Sequence, residues 1–273
     1  MEEITNIKEV QHILFDALCY LDDFCREHGI RYYLSNGTLL GAVKYRQFIP
    51  WDDDVDVMMP RADYDRFVSM TDVSCADYRL LCLEQVPQWR MPYAKLSCEK
   101  TLLREGEYFF GEEFGLSVDI FPIDNWSTHR FVAKMQALKG EICKRLLVCS
   151  IGGAFATEKK GVKRLILKTI WLAGKTIGSE RILKTILNSV KKAKKRPAKY
   201  VGCVSWTCHL SQEILPGDIL DETAEVSFCG RRFPAFSQYE LYLNRLYGNW
   251  KEELPPDRQH SNHSIRVWRK DAE

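Results

Sequence analysis

The spacing of hydrophobic residues divides the first sixty positions into helices and strands. An amphipathic helix is indicated by apolar residues three or four positions apart, namely Ile7, Val10, Leu14, Leu18 and Leu21. Gly29 is expected to end this helix, because glycine readily adopts the left-handed conformation. The pattern then predicts a strand over 30–34, a small polar turn over 35–38 and a short helix over 39–44.

The segment 50–59 joins the pattern of a buried strand to a run of carboxylates. Its apolar side chains alternate along one face, at Val55, Val57 and Met59. The other face carries Asp52, Asp54 and Asp56. Residues two apart on a strand lie roughly 6.6 Å apart and point the same way, so Asp54 and Asp56 can bind one divalent ion. Since like charges at this spacing repel, the run predicts a cation, Mg²⁺ or Mn²⁺, and with it phosphate chemistry.

The polar turn before this strand has the composition of an anion site. A strand, a turn and a helix start follow one another, which leaves backbone N–H groups at the positive end of the helix dipole. Gly37 lets a phosphate approach the backbone, and Ser35 and Thr38 offer hydroxyl groups. Alone this is ordinary turn chemistry. Together with the acidic strand it predicts a two-part site for a nucleotide and its metal.

A further carboxylate lies in a second apolar strand pattern. Asp119 stands between Val118 and Ile120, and the strand is expected to stop at Pro122. An unpaired buried carboxylate costs several kcal/mol, so Asp119 needs a partner. Beside Asp54 and Asp56 it would complete a metal-binding triad. Asp124 is predicted to be a turn residue that follows the proline.

Later segments continue the same hydrophobic patterns. Residues 224–236 predict a hairpin that turns at Gly230-Arg231, and 239–247 predict a helix. Within 131–200, apolar residues keep helical spacing among many basic ones. They predict two or three amphipathic helices, inserted in a single catalytic domain that spans 1–273.

Several segments together resemble the LicD family of phosphocholine, and more broadly phospho-alcohol, transferases, which is related to the fukutin-type ribitol-phosphate transferases. They are 35–41, 48–56, 118–124, 247–250 and 254–256, followed by His260. The resemblance implies an α/β fold with a nucleotidyltransferase-like mixed β-sheet flanked by helices. It also implies transfer of a phospho-alcohol from a CDP-alcohol donor, CDP-choline first among them, to a glycan or lipid-linked glycan of the teichoic-acid or lipopolysaccharide type. CMP is then the leaving group.

The same resemblance implies roles for the aspartates. Asp54 and Asp56 are expected to bind the metal with Asp119 as the third carboxylate, and these three are the predicted catalytic residues. Asp52 matches the acidic pattern and joins the metal set. A carboxylate near the acceptor hydroxyl is expected to take its proton, Asp119 in the first place and Asp52 in the second.

Basic side chains complete the predicted site. Arg46 and Lys95 are expected to contact phosphate oxygens, and the resemblance makes His260 a donor-binding candidate. The predicted substrate- and nucleotide-binding set is Ser35, Gly37, Thr38, Arg46, Lys95 and His260.

Other interpretations of the acidic run differ in how well they fit. An EF-hand calcium loop needs Gly at its sixth position and Glu at its twelfth, where this chain has Val57 and Asp63, so it is rejected. A nucleotidyltransferase that releases pyrophosphate from an NTP remains an alternative. So does a non-catalytic module that binds anionic polymers or a membrane.

The net charge of +2 hides a division of the chain. Residues 139–200 hold 17 Lys or Arg and 3 Glu, whereas the other residues hold 22 basic and 34 acidic side chains. The basic helices are either a solvated insertion or a surface for an anionic membrane or lipid-linked acceptor. Nucleic-acid binding is ranked last and is not expected, because no RNA-binding motif accompanies the charge.

Composition predicts a cytoplasmic protein, with peripheral contact at the inner membrane face through 139–200 as one of the two alternatives for the basic helices. The chain starts on an acidic helix rather than a signal peptide. Its longest uncharged stretch, 146–157, is shorter than the about 20 residues that span a bilayer. The ten cysteines contain no C-x-x-C pair and are expected to be reduced, with zinc at Cys203 and Cys208-His209 as an alternative.

Overall fold

Helix α1 forms where the hydrophobic spacing predicts it. It spans Ile7–His28 and begins after Asn6, whose side chain accepts a hydrogen bond from the Lys8 amide at 2.9 Å. It ends at Gly29, whose φ of 59° is left-handed. Its buried face packs against the central sheet.

A computed structural model describes residues 1–155, 157, 159–207, 209–261 and 265–271. The helices after α1 are α2 (Asn36–Tyr45), α3 (Arg61–Ser69), α4 (Arg130–Ile151), α5 (Gly161–Ile177), α6 (Ser179–Ala193) and α7 (Tyr239–Tyr247). The strands are β1 (Glu2–Ile4), β2 (Tyr33–Leu34), β3 (Val55–Pro60), β4 (Tyr78–Leu81), β5 (Ala94–Cys98), β6 (Thr101–Glu105), β7 (Ser117–Asn125), β8 (Tyr200–Gly202), β9 (Leu215–Pro216), β10 (Thr223–Phe228), β11 (Arg231–Phe236) and β12 (Ile265–Arg269).

The central sheet is mixed, which confirms the predicted α/β class. Its order is β2-β3-β7-β5-β4, and β8 and β9 extend it from the later part of β7. Strands β3 and β7 run parallel, whereas β5 pairs with β7 antiparallel. All six residues of β3 are buried, including Asp56 on the face that carries the predicted carboxylates.

Strand β7 is longer than predicted, because Pro122 does not end it. Its pairing with β5 stops at Ile120 and its pairing with β8 starts at Asp124. Between these, the described pairing of β7 is with β3 alone, where Pro122 lies opposite Met59. Proline lacks an N–H, and here the ladder on one side of the strand is already interrupted, so the strand continues through it.

Asp124 is therefore a strand residue, and the turn prediction for it is wrong. Its side chain is completely buried and receives two hydrogen bonds from Arg61 of α3, at 2.7 and 2.8 Å. Burial raises the pKa of Asp124, while the Arg61 guanidinium favours its charged form. The pair ties α3 to the far end of β7.

Shorter elements differ from their predicted bounds by a few residues. The strand predicted over 30–34 is paired only at Tyr33–Leu34, and the helix predicted over 39–44 begins at Asn36. The predicted hairpin is confirmed as β10 and β11, but its turn lies one residue earlier, at Cys229-Gly230. Both turn residues have positive φ, 49° and 85°, as a two-residue hairpin requires.

The end of the chain returns to its beginning. Strand β12 lies between β1 and β6 in a separate three-stranded sheet. Two ion pairs accompany this pairing: Arg266 of β12 with Glu3 of β1, and Arg269 of β12 with Glu9 of α1. Residues 265–269 are thus fixed between two strands from the first half of the chain.

Three helices, α4 to α6, occupy the basic region. Helix α6 buries Ile182, Leu183 and Ile186 against Leu147 of α4. An ion pair between Lys194 and Asp65 connects the end of α6 to α3. Among the described residues, no helix is long and apolar enough to cross a membrane.

Candidate active site

Four positions form one row across the central sheet. The Ser35 amide, just after β2, donates to the Asp56 carbonyl at 3.0 Å. Asp56 of β3 lies opposite Asp119 of β7, and Asp119 lies opposite Lys95 of β5. Side chains at paired positions of a sheet share a face. Pairing therefore brings two predicted carboxylates and one predicted cation side by side.

Asp52 and Asp54 reach this row from the connection before the strand. Because β3 begins at Val55, the prediction that all three aspartates share one strand face is wrong for these two. Both are half-buried, whereas Asp56 is buried. Asp53 is also buried and accepts a hydrogen bond from the Ser261 hydroxyl at 2.7 Å, so it serves the C-terminal segment instead.

The accumulated negative charge acts most strongly on Asp56. Burial, followed by the charges of Asp54 and Asp119, raises the pKa of Asp56 well above its usual value. A hydrogen bond with Asn36 opposes this shift, and Asp52 adds a smaller repulsion. These carboxylates are thus close enough to destabilise each other's charged forms.

Asp119 already has a cationic partner. Lys95, which is 8% exposed, forms an ion pair with its Oδ1. The Ser117 hydroxyl lies 3.4 Å from the same oxygen. The Lys95 ammonium also lies 5.4 Å from the centre of the Phe114 ring. Lys95 therefore neutralises part of the carboxylate cluster and is not a surface charge.

In the predicted anion turn, Thr38 contacts Asp56 and Gly37 contacts Asp52. The Thr38 hydroxyl accepts a hydrogen bond from the Asp56 amide at 2.9 Å, which fixes the start of β3 to α2. A Cβ added at Gly37 would lie 2.7 Å from Oδ2 of Asp52. Glycine is thus needed for the close approach of this carboxylate to the start of α2, where the helix dipole favours negative charge.

Ser35 contributes a buried hydroxyl to the same region. Its side chain is completely buried, and its Oγ has no hydrogen-bond partner among the described residues. Buried hydroxyl groups are normally hydrogen-bonded. An unsatisfied one beside Asp56 is the kind of group that a bound ligand satisfies.

Two functional neighbours were missed by sequence reasoning. The Asn36 side chain forms a hydrogen bond with Asp56. The Tyr242 hydroxyl in turn donates to Oδ1 of Asn36 at 3.0 Å and accepts from the backbone amide of Asn36 at 3.2 Å. Asn36 lies inside the quoted turn motif, and that was the only available signal. Tyr242 follows more than 200 positions later, so no local pattern connects it to the turn.

The described contacts of Arg46 and His260 are with groups outside the row. Arg46 is exposed and lines a cavity of about 420 Å³ with residues of α2, β10, β11 and α7. His260 is exposed, and its Nδ1 lies 3.1 Å from the Ser261 carbonyl. Its neighbour Ser261 is the residue that reaches Asp53. The predicted roles of Arg46 and His260 in donor binding remain predictions.

The cluster suits a hard divalent cation by its chemistry. Carboxylate oxygens are the preferred ligands of Mg²⁺ and Mn²⁺, and the repulsion at Asp56 shows an excess of negative charge. Among the described residues, no three His, Cys, Asp or Glu side chains are already arranged around one ion position.

Of the two cysteines in the alternative zinc site, Cys203 lies within the described residues. Cys203 is buried with its Sγ 3.5 Å from the Ser205 hydroxyl, and burial raises its pKa to about 12. Cys208 lies outside the described residues.

Comparison with known proteins finds that this chain is similar to one family model and to two proteins. Residues 29–141 match the family model described as LicD/FKTN/FKRP, nucleotidyltransferase domain. The chain is 25% identical over 274 aligned positions to the lipopolysaccharide cholinephosphotransferase LicD of Haemophilus influenzae, covering 97% of this chain and 98% of that protein. An uncharacterized protein of Rickettsia typhi is 33% identical over 54 residues, or 20% of this chain. The matched region contains the whole Asp56–Asp119–Lys95 row, and the chain is similar to LicD proteins in this region and along its length.

Proposed function

We propose that this chain catalyses metal-dependent transfer of phosphocholine, or a similar phospho-alcohol, from a CDP-alcohol to a glycan acceptor. CDP-choline is the preferred donor in this proposal, and CMP is released. The acceptor is a glycan or lipid-linked glycan of the lipopolysaccharide or teichoic-acid type. The relative from Haemophilus influenzae, named as a lipopolysaccharide cholinephosphotransferase, supports the reaction type because it aligns along nearly the whole chain.

One observation carries the proposal: the register that places Asp56 opposite Asp119, with Asp52 and Asp54 within electrostatic reach. A protein gains nothing for stability by placing carboxylates that repel one another around a buried one, Asp56. Their positions are explained by a cationic ligand. Asp54 and Asp56 would hold a divalent ion together with Asp119 and with support from Asp52. When bound, this ion supplies charge neutralisation for the diphosphate.

The residues of the chain would position the two substrates for in-line attack. The acceptor oxygen forms a bond to the phosphorus that carries the alcohol, and the bond from that phosphorus to the CMP oxygen breaks. The proton of the acceptor hydroxyl passes to one carboxylate of the cluster. Asp119 is the preferred candidate for this base, and Asp52 is the second candidate. CMP leaves with the electron pair of the broken bond.

Lys95 and the start of α2 would hold the donor. Lys95 is buried beside Asp119 and provides the one cationic head in the described Asp56–Asp119–Lys95 row. Its ammonium can donate to a phosphate oxygen as well as to Asp119, since it carries three N–H donors. The buried Ser35 hydroxyl offers a further donor at the end of the row. Arg46 and His260 are not needed for this arrangement.

A donor panel tests this function. The protein is incubated with Mg²⁺ or Mn²⁺ and either CDP-choline, other CDP-alcohols or NTPs, with a lipopolysaccharide or teichoic-acid acceptor, and the released nucleotide is identified by chromatography. Release of CMP that requires both metal and acceptor supports the proposal. Pyrophosphate from an NTP would indicate nucleotidyl transfer instead. No turnover with any donor, and no metal-dependent stabilisation by any nucleotide, would indicate a binding module.

A further inference from the structure

Helix α5 presents a row of hydrophobic side chains to solvent. Val162, Leu165 and Ile166 are 74%, 65% and 53% exposed, and Leu172 and Ile177 follow at 47% and 40%. At 3.6 residues per turn these five positions fall within about 140° of the helix circumference. Eleven of the seventeen large hydrophobic side chains exposed in the described part of the chain lie on α4, α5 and α6. Such a concentration is unusual for a surface that faces only water.

The same helix is uniformly cationic. The segment 159–177 contains six basic residues and no Asp or Glu, the basic ones being Lys159, Lys160, Lys163, Arg164, Lys168 and Lys175. On the helical wheel, Arg164, Lys168 and Lys175 border the hydrophobic row on one side. A hydrophobic stripe with a basic border is typical of helices that lie in the surface of an anionic bilayer.

The attachment of α5 leaves this row facing outward. Its packing against α4 occurs on another side, where Gly174 is buried and a Cβ on it would lie 2.6 Å from the Leu146 carbonyl oxygen. The Trp171 indole donates to the Gly153 carbonyl at 3.3 Å, and the Lys175 ammonium donates to the Ser150 carbonyl at 3.2 Å. All three anchors are in the C-terminal half of the helix. Residues 161–166 are exposed throughout.

Charge decides which partner fits this surface. A second copy of the helix would bring twelve like charges together without an acidic residue of the segment to balance them. A nucleic acid would use the cations but leave the hydrophobic row in water. We propose that α5 docks on an anionic lipid bilayer, with Val162, Leu165 and Ile166 in the headgroup boundary and the basic residues on lipid phosphates. Because no described helix can span a membrane, the contact lies parallel to the surface.

Vesicle co-sedimentation of the full chain tests this surface. Vesicles of phosphatidylcholine alone are compared with vesicles that also contain phosphatidylglycerol, at low and high salt. We expect binding to the anionic vesicles only, decreasing with salt. Leu165→Glu should weaken it about tenfold or more, because a charge replaces an inserted side chain. Far-UV circular dichroism verifies that the variant remains helical.

A matched variant separates insertion from overall charge. Leu241→Glu makes the same charge change at an exposed leucine of α7, outside the basic helices, and should leave vesicle binding unchanged. Equal loss in both variants, or none in Leu165→Glu, would overturn the role of the row. So would the absence of binding to anionic vesicles, or a dimer in solution that Leu165→Glu dissociates. None of these readouts depends on transferase activity.

Discussion

At the scale of single residues, Asp56 differs from the aspartates around it because it belongs to the sheet itself. It is buried within β3, whereas Asp52 and Asp54 are half-buried in the connection before this strand. Its neighbours hold it firmly: Thr38 accepts its amide hydrogen and Asn36 contacts its carboxylate. In the proposed metal site, Asp56 is therefore a ligand whose position is fixed by its neighbours.

Asp56→Asn should uncouple stability from the metal. Removing one buried charge relieves the repulsion with Asp54 and Asp119, so the unliganded variant should melt at the same temperature as the wild type or higher. A metal concentration about tenfold above Kd should raise the wild-type Tm by about 3–6 °C and leave the variant unchanged. Differential scanning fluorimetry with and without Mn²⁺ measures both. A wild-type shift that persists in Asp56→Asn would remove Asp56 from the site.

Gly37→Ala should reduce activity without unfolding the protein. The added Cβ would lie 2.7 Å from Oδ2 of Asp52, so this carboxylate must move away from the start of α2. Gly140→Ala is the matched control, since its Cβ would make an ordinary contact at 3.4 Å with Thr207 and should stabilise α4 by about 0.5–1 kcal/mol. Steady-state rates and urea unfolding of both variants separate the two effects. Normal turnover in Gly37→Ala would show that Asp52 needs no fixed position.

Local patterns explain which site residues the sequence reveals. The turn at 35–38 and the run at 52–56 are recognisable because each is a short segment with unusual composition. The contact between Lys95 and Asp119 is harder to predict from the sequence, because it depends on the pairing of β5 with β7. The role of Tyr242 cannot be predicted from a local pattern, since its contact with Asn36 spans 206 positions. Side chains that orient a site from distant elements leave no periodic signal.

At the scale of elements, strand β7 contributes one aspartate to the candidate site and another to a buried ion pair. Its first half supplies Asp119 to the site, and its second half supplies Asp124 to the Arg61 pair. The sequence predicts the first half, because Val118 and Ile120 alternate around the aspartate. It mispredicts the second, because proline is tolerated there only through the gap between the partners β5 and β8. Sheet order is a tertiary property that no window of a few residues contains.

Arg61→Leu should destabilise the fold by about 3–5 kcal/mol, because it leaves the completely buried Asp124 carboxylate without its charge partner. Replacing both residues, as Arg61→Leu with Asp124→Leu, should recover most of this loss, since hydrophobic residues can substitute for a buried ion pair. Urea unfolding of the single and double variants gives the two free energies. A double variant as unstable as the single one would mean that packing, not charge, sets the cost.

At the scale of the whole molecule, the two proposals fall on parts of the chain that differ in charge. The sheet and its aspartates form the proposed catalytic site, and helix α5 of the basic region forms the proposed membrane contact. Helix α6 joins them through Lys194 and Asp65, next to the Arg61–Asp124 pair. The charge division was readable from composition, whereas the junction depends on the folded arrangement.

The C-terminal strand should be essential to the fold. Deleting residues 259–273 removes β12 from between β1 and β6, together with the Ser261–Asp53 contact. We expect the deletion to lower Tm by more than about 5 °C, because the buried Val267 and a full strand ladder are lost. Asp271→Ala, which removes only an exposed ion pair with the N-terminus, is the control and should change Tm very little. Equal melting temperatures for the deletion and the wild type would contradict the strand order.

The most direct test of the central claim is CMP release from CDP-choline by three proteins under identical conditions. With Mg²⁺ and an acceptor glycan, the wild type and Asp16→Asn, which alters an exposed aspartate of α1, should release CMP at the same rate. Asp56→Asn should lose at least about 10³-fold in rate, and EDTA should abolish release by the wild type. Undiminished CMP release by Asp56→Asn, or by the wild type in EDTA, would contradict a carboxylate-held metal at the β3–β7 row.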